Sequence, residues 1–108
     1  MPVDLSRNDD ALRYEARLDG QLVGFAEFQL TDDLIVFTHT HVEPVVEGQG
    51  VGSAIARFAL DDVRRAGDRE VLPRCPFFRK WIRNHPEYGD LVRRTTGLAA
   101  GDSPGGVA

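Results

Sequence analysis

Glu47-Gly48-Gln49-Gly50-Val51-Gly52-Ser53 sets three glycines at alternate positions between a strand-like segment and a helix-like one. Glycine reaches backbone angles closed to other residues, and without Cβ it lets successive main-chain N–H groups converge on one anion. A helix beginning near Val51 adds its unpaired N–H groups and the positive end of its dipole. The chemistry this stretch suits is the grip of a phosphate. A tight strand-to-helix turn also uses glycine for steric reasons, so the loop alone leaves both readings open. It is neither a P-loop, which needs Gly-Lys-Ser/Thr, nor a Rossmann fingerprint, whose third glycine lies further along.

His39, His41 and Glu43 precede the loop, and each is a candidate general base. Residues of equal parity in a strand share a face, so both imidazoles are expected on the side of Ile35 and Phe37, about 7 Å apart. A hydrogen-bonded structural role is the alternative. No further ligand stands at useful spacing, so no metal is expected. Cys75, the single cysteine, rules out an intramolecular disulfide. At a helix start with Arg74 and Arg79 nearby it is a candidate nucleophile if the sheet brings it to His39 or His41. A small buried hydrophobe is the other reading.

The elements that must position these groups follow from pattern. Leu12, Tyr14, Ala16 and Leu18 alternate with polar residues, Asp19-Gly20 makes a hairpin turn, and a second strand runs from Leu22 to Leu30. A third strand, Leu34 to Val42, opens with four apolar residues and is expected to be central. Glu43-Pro44 ends it, because proline cannot donate to a ladder. Val51, Ile55, Phe58, Ala59 and Val63 repeat at helical spacing, and Gly67 stops the helix. Glu70 to Cys75 reads as a short strand parallel to the third, linked to it by the helix crossover. Pro76 suits the first position of a helix from Phe77 to Asn84 with Cys75 as N-cap, and His85-Pro86 ends it.

Four ordered motifs carry a resemblance: Val42-Glu43-Pro44 with the glycine loop, His39-Thr40-His41-Val42, Cys75-Pro76-Phe77, and His85-Pro86-Glu87-Tyr88. Together they resemble the small single-domain branch of the GNAT superfamily of acyl-CoA-dependent N-acetyltransferases. The resemblance covers roughly residues 10 to 93. It implies an α/β (α+β) fold with a mixed, mostly antiparallel sheet and flanking helices, acetyl-CoA as co-substrate, and an amine acceptor. It further implies that Gly48, Gln49, Gly50, Val51, Gly52 and Ser53 hold the pyrophosphate and that a main-chain N–H in the Val42 to Glu43 region polarises the thioester oxygen. A tyrosine late in such domains protonates the departing thiolate, which nominates Tyr88. Glu47 departs from the pattern, where Arg or Gln is usual. The superfamily favours direct attack of the amine, and an acyl-cysteine on Cys75 is the competing route.

Composition sets the remaining bounds. With 108 residues, 42% of them hydrophobic, one core is expected over 10–93, flanked by an N-terminal extension at 1–9 and a flexible tail at 94–108. A formal net charge of −4 argues against nucleic acid or anionic membrane as partner and suits a cationic amine. No segment approaches the roughly 20 apolar residues of a membrane span, and the expected setting is the reducing cytoplasm. Two further readings stand beside the enzyme: a non-catalytic acyl-CoA-binding or sensing module, and an interaction subunit of a larger assembly.

Overall fold

The computed structural model describes residues 3–93, so the expected flexible tail at 94–108 lies outside the described residues. Five strands form one sheet in sequence order: β1 (Asp4–Asn8), β2 (Arg13–Leu18), β3 (Gln21–Leu30), β4 (Leu34–Val42) and β5 (Glu70–Pro73). The first four pair antiparallel, and β5 joins β4 in parallel after the crossover helix α1 (Val51–Ala66). Helix α2 (Pro76–Asn84) follows β5. This is the mixed, mostly antiparallel sheet with flanking helices that the sequence predicts.

Local chemistry explains most boundaries. Asp19 and Gly20 both take positive φ, the geometry of the two-residue hairpin turn that an Asp-Gly pair favours. Helix α1 ends at Gly67, left-handed at φ 71°, whose N–H donates to the Val63 carbonyl. Cys75 is the extended N-cap of α2, with Pro76 in its first turn.

Strand β1 is an element the sequence reading did not anticipate. Leu5 is its one apolar residue, and it packs against the core together with the preceding Val3. A long-range cluster reinforces the strand: Arg7 donates to Tyr14 Oη and to Asp62 Oδ2 on α1, and Tyr14 Oη donates to the same carboxylate at 2.7 Å.

Both α-helices cover one face of the sheet. Phe58 of α1 meets the Tyr14 ring edge-on at 6.0 Å, and Phe78 of α2 stacks on Phe37 at 4.1 Å. Tyr14, Phe28 and Phe37 lie between them as fully buried core. The opposite face carries Arg13, Glu15, Phe25 and Glu27 from β2 and β3. There Glu15, 3% exposed, accepts from Arg13, Asn8 and Arg17.

Candidate functional site

A parting of two strands organises the site. The β4–β5 ladder ends at the pair Phe37 and Pro73, and the N–H groups of Arg74 and Cys75 both turn onto the Phe37 carbonyl. From Thr38 to Val42, β4 therefore keeps β3 on one side and has an open edge on the other. Glu43 N–H donates to the Val23 carbonyl at 2.9 Å, and Val42 is registered opposite Gly24. Antiparallel ladders alternate hydrogen-bonded and non-bonded pairs, so the Val42 N–H points to the open edge. Of the two N–H groups in the Val42 to Glu43 region, it is the one that faces the opening.

Beyond Val42 the chain makes a single 3-10 turn, Pro44–Val46, and enters the glycine loop. Gly48 and Gly50 lie at φ 82° and 81°, a conformation that side chains rarely adopt. Gly50 is the N-cap of α1, and its carbonyl accepts the helix's first N–H, from Ala54. Among the described residues, the N–H groups of Gly48, Gly50, Val51, Gly52 and Ser53 have no acceptor, whereas Gln49 N–H is spent on Val46. The loop thus forms a cradle of free amides with the positive end of the helix dipole behind it, the arrangement that an anion would suit. Glu47 is exposed, which leaves the cradle's amides as its chemical character.

The cradle and the open edge are contiguous. A Cβ on Gly52 would come within 3.1 Å of the Phe77 ring and 3.5 Å of Val42 Cγ2, so only glycine lets α1 start this close to both β4 and α2. Trp81 Nε1 donates to Ser53 Oγ at 2.8 Å and ties α2 to the first turn of α1. Beside that contact runs a groove of about 220 Å³ lined by Phe77, Lys80, Trp81 and Asn84. Lys80, which lines that groove, belongs to the basic stretch Arg74, Arg79, Lys80 and Arg83.

The histidines do not stand where parity put them. A bulge shifts the β3–β4 register, so that Phe28 faces Phe37 while Glu27 faces His39, with Thr38 as the extra residue. The bulge reverses the alternation, and His39 and His41 emerge on the helix-free face, opposite Phe37 and against Phe25 at 6.2 and 5.5 Å. There His41 Nε2 and Glu43 Oε2 form a 2.9 Å hydrogen bond. With a carboxylate as acceptor, the neutral ring carries its proton on Nε2 and leaves Nδ1 free to accept one.

Cys75 is brought to Thr40, not to either histidine. Its Sγ lies 3.3 Å from Thr40 Oγ1, buried on the helix side of the sheet. Tyr88 lies elsewhere again. Its hydroxyl donates to Asp61 at 2.7 Å and takes a bond from Arg57. The Asp61 bond, then burial, hold the phenol above its ordinary pKa. Asp61 is about 15 Å along α1 from the cradle, so the acid role implied for Tyr88 finds no support in its position. Sequence reasoning missed Thr40, Phe25 and the Ser53–Trp81 tie, whereas Lys80 already stood out in the basic cluster Arg74, Arg79, Lys80 and Arg83 as a candidate for CoA phosphate or an acidic substrate. The alternation Thr38-His39-Thr40-His41 was the available signal for Thr40, since it sets threonines and histidines on opposite faces.

The model of the GCN5-related N-acetyl-transferase family matches residues 13–91. The chain belongs to that family. Solved structures share the fold. A ribosomal-protein-alanine N-acetyltransferase from Brucella melitensis biovar Abortus 2308 aligns at TM-score 0.53 and 21% identity, over 75% of this chain and 62% of that one. A GNAT family acetyltransferase from Brucella melitensis, in complex with acetyl-CoA, aligns at 0.52 and 26%, over 60% and 47%. The ribosomal-protein-S18-alanine N-acetyltransferase from Escherichia coli aligns at 0.51 and 22%, over 56% and 40%. The chain thus spans between 40% and 62% of these structures' lengths. No curated protein matches it. Among the described residues no helix is long and apolar enough to cross a membrane.

Proposed function

We propose that this chain is an acetyl-CoA-dependent N-acetyltransferase that moves an acetyl group to an amine. The observation that carries the reading is the run of free main-chain donors from the Gly48–Ser53 cradle to the Val42 N–H, joined where Gly52 packs on Val42. One extended ligand with a pyrophosphate at one end and a carbonyl at the other suits that run. The acetyl-CoA complex of the Brucella melitensis relative supports the same donor here.

Acetyl-CoA supplies an activated thioester. In this reading the amides of Gly48, Gly50, Val51, Gly52 and Ser53 hold the pyrophosphate, with Gln49 completing the loop. Lys80 lies on the side where further phosphate charge would fall. The Val42 N–H donates to the thioester oxygen as negative charge develops on it. His41, oriented by Glu43, accepts the proton that the attacking nitrogen sheds, and His39 shares that face as the second candidate. One C–N bond forms at the amine and one C–S bond breaks at the thioester. Direct transfer is favoured over an acyl-cysteine, because Cys75 has Thr40 as its neighbour and the histidines stand on the other face. A reducing, cytoplasmic setting suits the free thiol.

The test is incubation with acetyl-CoA and a simple alkylamine, following thiol release and acetylamide mass. Turnover that falls about a hundredfold in His41→Ala supports the reading. Binding without thiol release from any amine makes the chain an acyl-CoA-binding module, and absence of both makes it an interaction subunit.

A further inference from the structure

Resting on the transferase reading, we infer that Glu27 selects acceptors bearing a second positive charge, so that the preferred substrate class is a diamine or an amine with a neighbouring cation. The bulge at Thr38 turns His39 and His41 onto the helix-free face, where register sets Glu27 opposite His39 and Phe25 opposite His41. The Phe25 ring lies against both imidazoles and forms an aromatic floor between them. Glu27 is half-buried at the edge of that floor, and although its carbonyl accepts from Thr38 Oγ1, its carboxylate has no hydrogen-bond or ion-pair partner among the described residues.

Its one cationic neighbour is already engaged. Arg13 is registered opposite Glu27, yet its Nε lies 2.7 Å from Glu15 and its guanidinium sits over the Phe25 ring at 4.8 Å. Arg17 is likewise held by Glu15. Among the described residues, the histidine end of this face therefore carries the carboxylates of Glu27 and Glu43, with no Lys or Arg bound to either. With Arg13 already over the Phe25 ring, it is the unpaired Glu27 carboxylate that offers a partner to an ammonium group. His39 and His41 are two residues apart, so Glu27 stands about 7 Å along the strand from the proposed base, a gap that a chain of roughly five carbons spans.

Cadaverine and pentylamine differ only in the second amino group and give the test. The expected result is a kcat/KM for cadaverine about tenfold above that for pentylamine, carried by KM and shrinking as ionic strength rises. In Glu27→Gln, which keeps the side-chain shape, the cadaverine-to-pentylamine ratio falls to within about twofold of one. Equal rates in the parent, or a ratio that Glu27→Gln leaves intact, would overturn this inference alone. A concentration-dependent dimer that Glu27→Gln dissolves would assign the face to a second copy and overturn it too. Absence of acetyl transfer to both amines would overturn the transferase reading and this inference with it.

Discussion

Thr40 Oγ1 and Cys75 Sγ lie 3.3 Å apart across the opening between β4 and the start of α2. This contact bridges the two parts of the chain between which the proposed thioester lies, and it occupies the thiol on the face away from both histidines. In the direct-transfer reading, Cys75 is a packing and positioning residue.

Cys75→Ala is therefore expected to keep turnover with acetyl-CoA within a few-fold of the parent. It should lose roughly 1 kcal/mol of stability from the missing buried contact. Intact mass after incubation with acetyl-CoA checks the same point, with no acetyl adduct expected on the protein. An adduct that disappears in the alanine variant would restore the acyl-cysteine route.

Gly50→Val places a β-branched residue at φ 81°, where a side chain costs about 1–2 kcal/mol or more. Apart from its chain neighbours, no described residue lies within 4 Å of the added Cβ, so the substitution acts through the loop's backbone conformation and not through a clash. A modestly lower melting temperature with at least a tenfold loss of acetyl-CoA affinity is expected by calorimetry. Full affinity would remove the loop from the account.

His41→Ala and Glu43→Gln test the base. With kcat/KM followed as a profile against pH, His41→Ala is expected to lie about a hundredfold below the parent. Glu43→Gln lowers the rate less, because an amide still contacts the ring but no longer fixes its tautomer. A profile unchanged in His41→Ala would move the role to His39.

Acid stability follows from two carboxyls. Burial pushes Glu15 up, but hydrogen bonds from Arg13, Asn8 and Arg17 outweigh it and hold the carboxyl below its ordinary value. Asp62 is similar: burial opposes, while Tyr14, Arg7 and Arg65 bring it down. Each group contributes stability that is present above its unfolded pKa, about 4, and lost as pH falls through the lower folded value. Urea unfolding should show stability declining below about pH 4. Glu15→Gln is expected to be less stable at neutral pH, with a shallower acid decline.

The sequence was most legible where structure is local. Asp19-Gly20, the helical period of α1, Gly67 and the Cys75-Pro76 helix start are each set by a few adjacent residues. The face of His39 and His41 was not legible, because parity holds only along an unbroken ladder and nothing about Thr38 marks it as the bulged residue. Strand β1 escaped for another reason: much of its support comes from Arg7 reaching Asp62, 55 residues away. The partners of Tyr88 were not legible either, since Asp61 and Arg57 reach its hydroxyl from α1, outside the motif that nominated it.

Titration of the purified chain with acetyl-CoA by calorimetry tests the central claim most directly. Micromolar binding, lost in Gly50→Val, is the predicted result. A flat titration under conditions where the protein is folded would contradict the proposal that the Gly48–Ser53 cradle and the Val42 edge form an acetyl-CoA site.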